Sequence, residues 1–169
     1  MRLAIAALIL ALAACATPSV PQAAHVADGT PLWRMHTENL AADRRAAHGC
    51  LVSGANCETL IHDACVGAYN ENSRSPTLDR QCDWRAIAAW EDEMNAILAD
   101  LRGKLGDDNL RNLNDSQSAW DRSMLADVGL GMDYYTGGSI AGPIGAHIRA
   151  RATAQRAAYL YEIQQMVDE

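Results

Sequence analysis

The most constraining feature of the chain is an apolar series of helical period. Ile87, Trp90, Met94, Ile97, Leu101 and Leu105 recur at steps of three and four, and Gly106 follows as a stop. The spacing predicts a long helix that starts near Ser75-Pro76-Thr77, where a hydroxyl cap precedes a proline at the first helical position. Asp107 or Asp108 then caps a second long helix carrying Leu110, Leu113, Gln117, Trp120, Met124 and Val128. With so short a turn between them, the two must lie antiparallel. Gln117 stands within the apolar series, so its amide requires a buried partner. Glu91-Asp92-Glu93 on the first of these helices reads as a solvated outer face.

The rest of the chain is also helical in pattern. Thr30-Pro31 opens a helix whose face carries Trp33, His36, Leu40 and Ala47, closed by Gly49; His36 there suits a packed histidine better than a ligand. A shorter helix is expected from about Asn56 to Tyr69, followed by a loop at 70–76. A glycine-rich connection, residues 129–145, leads to a last helix with Ile144, Ile148, Ala152, Gln155, Tyr159, Ile163 and Met166 on its face. No stretch alternates as a strand does. The expected fold is therefore all-α, an antiparallel bundle of four to five helices over residues 31–169. Its core is leaner than the 49% hydrophobic content suggests, because 31 of those residues are alanine.

The first thirty residues read as an export signal and a tether. Arg2 precedes an unbroken apolar stretch from Leu3 to Ala14, which has signal-peptide length and falls short of the roughly 18–20 residues that span a bilayer. It ends in Leu12-Ala13-Ala14-Cys15, which resembles a bacterial lipobox, with Cys15 as the lipidated first residue after removal of 1–14. Ala16 is not the aspartate that retains lipoproteins at the inner membrane, so the expected location is the outer membrane, facing the periplasm. Residues 15–30 form a proline-containing polar tether. Cleavage removes one charged residue, Arg2, and changes the net charge from −7 to −8. Such a balance argues against nucleic acid as a partner.

Cys50, Cys57, Cys65 and Cys82 remain, an even number in an oxidising compartment, and two disulfides are expected. Cys57 and Cys65 are expected on one helix, about 12 Å apart and beyond the reach of a mutual bridge. Both 50–57 with 65–82 and 50–65 with 57–82 stay open. A zinc site using His62 competes poorly, because the short Cys-x2–4-Cys spacing is absent. No cofactor is implied.

These residues resemble the LprI-like lysozyme-inhibitor domain family of exported bacterial proteins, over roughly Cys50 to Tyr161. Cys50-Leu51, the Cys57/Cys65 pair and Cys82 resemble its cysteine pattern. Trp90-Glu91 with Met94-Asn95, Leu113 through Gln117 to Trp120, Gly137-Gly138-Ser139-Ile140 and Thr153-Ala154-Gln155-Arg156-Ala157 are similar to its motifs in order and spacing. There are departures. Met124 to Val128 replaces the family's Arg-Asp-Ala-Glu-Cys, and the partner cysteine expected around His147-Ile148 is missing, as if a disulfide had been discarded. Arg122 lies two positions early for the family arginine, and Asp83 is the nearest match to an acidic residue usual after the helix-opening cysteine.

The resemblance implies a lipid-anchored binder and inhibitor of lysozyme, whose cationic surface would attract a domain of charge −8. The expected contact loop is Asp133-Tyr134-Tyr135-Thr136-Gly137-Gly138-Ser139, with rigid tyrosine anchors and glycines that allow close approach. The same composition suits a plain helix–helix connection. The alternative function is a structural or assembly lipoprotein that binds an envelope protein or peptidoglycan. Catalysis is not expected. The chain has no Gly-x-Ser-x-Gly, His-Glu-x-x-His or phosphate loop, and His62-Asp63, adjacent on a helix, should point about 100° apart.

Overall fold

A computed structural model describes residues 32–69, 75–135 and 138–169 of the chain, with side chains described from residue 39 onward. The signal, Cys15 and the tether lie outside the described residues, as do the side chains of Trp33 and His36. Five helices follow in order: α1 (Leu32–Ser53), α2 (Leu60–Gly67), α3 (Pro76–Lys104), α4 (Asp107–Tyr134) and α5 (Ala141–Asp168). Among the described residues there is no strand, and no helix is long and apolar enough to cross a membrane.

α3 is the axis of the domain. Ser75 caps it as expected, its hydroxyl accepting from the Leu78 amide at 3.2 Å with Pro76 at the first position. Arg102 and Lys104 sit in its last turn, where cations oppose the helix dipole. Ile87, Trp90, Met94, Ile97 and Leu101 are buried as their spacing predicts. The cap of α4 differs from expectation: Gly106 occupies it, and Asp107 and Asp108 lie inside the first turn, where their charge favours the helix start.

α5 runs parallel to α3 and packs directly against it, and α4, which carries the chain back, packs mainly on α5. Asp83 meets His147, Asp100 meets Gln164 and Lys104 meets Asp168, always 64 residues apart. The buried face of α5 is not the large-residue face read from sequence. Tyr159 and Met166 are exposed, whereas Ala146, Ala150, Ala154, Ala157 and Leu160 are buried. The small side chains face the core, and Ala86 and Ala89 of α3 are buried in the same cluster. Alanine therefore serves close helix contact here, and the polar Thr153 is accommodated by donating its hydroxyl to the Arg149 carbonyl at 2.8 Å.

The disulfides are Cys50–Cys57 and Cys65–Cys82. The first ties the end of α1 to the segment before α2; the second ties α2 to α3. Cys57 lies before α2 and does not share a helix with Cys65, contrary to expectation, because α2 begins only at Leu60. α1 passes through Gly49 and stops at Gly54, the residue that adopts positive φ (67°) and accommodates the turn. Glu91-Asp92-Glu93 is not a uniformly solvated face. Glu93 is 3% exposed and receives Arg44 Nε at 3.3 Å, with His48 Nδ1 at 2.8 Å. Glu91 pairs with Arg149, and Asp92 with Arg44.

Candidate functional site

The segment 129–145, read from sequence as a glycine-rich connection, is mostly helix. Gly129, Gly131, Asp133 and Tyr134 belong to α4, and Gly142 and Gly145 to α5. Two of these glycines are contact points between helices. A methyl group at Gly145 would lie 2.8 Å from Met132 Cγ and Sδ, and one at Gly131 would meet Ile148 Cδ1. Val128 also borders Gly145. The positions where the resemblance places a further, discarded cysteine pair therefore lie in an apolar contact between α4 and α5, so close packing occupies the place of a covalent link.

Of the expected contact loop, Asp133 and Tyr134 form the last turn of α4 and Tyr135 is its C-cap. Gly138 and Ser139 lie in the turn before α5, and Thr136 and Gly137 lie outside the described residues. Tyr134 is 81% exposed, and its ring meets that of Tyr135 edge to face, with centroids 4.9 Å apart. Leu125, Leu130 (72% exposed), Met132 and Ile140 are exposed in the same stretch. A run of large apolar side chains left in water at one end of a helix pair is the kind of surface that marks a contact site. Asp133 contributes a negative charge beside it.

The motif residues converge elsewhere, in a polar lock between α4 and α5. Arg156, 8% exposed, donates from Nε to Gln117 Oε1 and from Nη2 to Ser116 Oγ, both at 3.0 Å. Its guanidinium lies 5.9 Å from the Trp120 ring centre and 5.4 Å from that of Tyr159. Gln117 Nε2 reaches Met94 Sδ of α3 at 3.8 Å. The predicted partner for the Gln117 amide is thus Arg156, together with a thioether. Among the described residues no carboxylate forms an ion pair with Arg156, and burial lowers its pKa below the usual guanidinium value, with Tyr159 and Asp121 pulling the other way.

Sequence reasoning missed a third cluster. Asp83, 2% exposed on α3, lies 3.3 Å from His147 Nδ1 and 3.8 Å from His62 Nε2. Burial pushes the Asp83 carboxyl upward, with both histidines pulling the other way and Asp79 adding to the rise. In the sequence Asp83 stands out only as a displaced family acid, and His147 only as lying where a family cysteine is expected. Their separation of 64 residues offered no local signal. His62 also contacts Asp63 at 3.2 Å, although adjacent helical residues diverge; the pair is a side-chain contact on the surface. Cys50, Cys57, Cys65 and Cys82 are taken up in disulfides, and among the described residues no group of three or more His, Cys, Asp or Glu side chains is placed to hold a metal ion.

Stapled helices, a central Arg156 lock and an exposed apolar hairpin end define the class as a small disulfide-bonded helical bundle. Within that class the chain belongs to the LprI lysozyme-inhibitor family: the family described as "Lysozyme inhibitor LprI" matches residues 65–160, more than half of the chain. The match takes in Cys65, Cys82, Asp83, Gln117, Trp120, Tyr134, Tyr135 and Arg156. No curated protein and no solved structure matches the chain.

Proposed function

We propose that the protein is a non-catalytic, lipid-anchored envelope protein that binds and inhibits lysozyme-type muramidases. The observation that carries the reading is membership of the lysozyme-inhibitor family. Charge supports it: a net −7 for the full chain would steer the domain toward a cationic enzyme. The contact is assigned to the end of the α4–α5 hairpin, where Asp133, Tyr134 and Tyr135 precede the turn containing Gly138 and Ser139. Tyrosines exposed at a helix end supply apolar area with little rotamer entropy to lose, which suits insertion into a cleft. Anchoring is assigned to Cys15, with residues 16–30 as tether, and the location to the periplasmic face of the outer membrane.

The test is wall lysis followed by turbidity with c-, g- and i-type lysozymes, in the presence of the oxidatively folded mature chain. Dose-dependent protection from one type, weakened by salt and lost in Tyr134→Ala/Tyr135→Ala, is expected. Protection that survives the double substitution would move the contact elsewhere. No protection from any of the three would favour the alternative, an assembly lipoprotein with an envelope partner. Cys15→Ser should release the protein from the membrane fraction; retention would remove the anchor.

A further inference from the structure

The unusual feature of the Arg156 lock is what it lacks. A guanidinium taken out of water is ordinarily matched by a carboxylate, because a buried charge without a counter-charge is costly. The other buried charged groups among the described residues have partners of opposite type: Glu93 has Arg44 and His48, Asp43 has Arg85 at 2.5 and 2.7 Å, and Asp83 has His147 and His62. Arg156 instead has one amide oxygen and one hydroxyl, reached through Nε and Nη2. Its Nη1 donates to no residue among those described, and the side chain lines a cavity of about 330 Å³ between α4 and α5.

The walls of that cavity specify its ligand. Trp120 and Tyr159 supply aromatic surface, Met124 adds an apolar side chain, and Ser123 and Asp127 supply hydrogen-bonding groups that have no partner among the described residues. A planar cation is suited to a carboxylate, and a free carboxylate such as Asp127 is suited to hydroxyl donors. Aromatic faces suit the C–H face of a sugar ring. Asp127 in the lining, with the charge of Asp121 also felt by Arg156, would repel a ligand carrying several negative charges. We propose that this cavity binds a carboxylate-bearing sugar, its acid group on Arg156 Nη1, its hydroxyls on Asp127 and Ser123, and its ring against Tyr159 and Trp120. The site is separate from the hairpin end and does not depend on lysozyme binding.

The test is a titration of the isotopically labelled, disulfide-intact mature chain with N-acetylmuramic acid, read by NMR at the Trp120 indole and Arg156 Nε–H signals. Saturable shifts at both, in the millimolar range, are expected. N-acetylglucosamine, which lacks the acid, and acetate, which lacks the sugar, should each bind about tenfold more weakly or less. Equal binding of N-acetylglucosamine would overturn the role of Arg156, and equal binding of acetate would overturn the sugar. Absence of saturable shifts, or shifts confined to other residues, would overturn the site. Arg156→Gln should abolish the response; because it also weakens the lock, Ser123→Trp, at an exposed position, provides a blocked cavity with the lock intact. Undiminished binding in a folded Ser123→Trp variant would overturn the proposal.

Discussion

The two sides of this bundle are held together by different means. On the α1–α2–α3 side, both disulfides and the Arg85–Asp43 and Arg44–Glu93 pairs link neighbouring elements. The α4–α5 side contains no disulfide. Leu113 and Met124 are the only buried residues of α4 among those described, and its attachment relies on the Arg156 lock and two glycine contacts. Large apolar residues stand exposed at the far end of this second side. Covalent links fix the half whose exposed large apolar residues are fewer and scattered (Val52, Leu60, Tyr69 and Trp84), and the half proposed for recognition is left to packing. Segments used for binding tend to come from the less stable part of a domain.

The contrast predicts unequal losses. Replacing Cys65 and Cys82 by serine releases a tie across 17 residues and should cost about 3 kcal/mol by loop entropy. The Cys50–Cys57 tie spans 7 residues and should cost somewhat less, about 2.5 kcal/mol. Denaturant unfolding of the two variants measures both. Equal, negligible losses would mean that the α1–α2–α3 side is held by its buried polar pairs and core, and the contrast would fail.

Arg156→Ala attacks the other side. It removes a side chain packed against Trp120 and leaves Gln117 Oε1 without its donor, for an expected loss of about 2 kcal/mol. Hydrogen exchange should show the loss concentrated in α4, with α2 and the first turns of α3 still protected. Uniform loss of protection would show that the two sides unfold as one unit.

Asp83 sharpens the boundary, because it links α3 and α2 of the disulfide-bonded side to α5 of the other. Its folded pKa is raised, chiefly by burial, so the folded state binds its proton more tightly than the unfolded chain does. The stability contributed is therefore fully present below the unfolded carboxylate pKa and is lost as pH rises through the folded value. Asp83→Asn should accordingly stabilise the domain at neutral pH, and the gain should vanish in acid. Urea midpoints across that window test the sign; a variant less stable at neutral pH would show that His62 and His147 outweigh burial.

The sequence made some of this legible for identifiable reasons. α3 could be read because its large residues alternate with polar ones at helical period and Ser75-Pro76 marks its start. α5 was legible as a helix, but its buried face was not, since that face is made mostly of alanines with Thr153 and a single large apolar residue, Leu160. Glu93 looked solvated because the arginine and histidine that contact it lie 49 and 45 residues away. That the half-buried Gln117 amide needs a buried partner was legible, but that the partner is Arg156 was not. The tyrosines of the expected contact segment were found by composition, while their helical setting was hidden by the glycines around them. Glycine signals a turn in sequence, yet at Gly131 and Gly145 it permits close approach.

That distinction yields the smallest prediction. Inside a helix, alanine is favoured over glycine by about 1 kcal/mol because it restricts the unfolded chain. Gly129 has open space where a Cβ would stand, so Gly129→Ala should gain most of that amount. Gly145→Ala must first displace Met132, whose Cγ and Sδ lie 2.8 Å from the new methyl, and the shift would pry the α4–α5 contact apart. The propensity gain is then offset, giving a net change near zero or a small loss. Paired thermal melts of the two variants, with hydrogen exchange at residues 125–135, separate the two roles of glycine. An equal gain in both variants would show that the α4–α5 contact has slack, and that the place of the missing disulfide is not held by close packing.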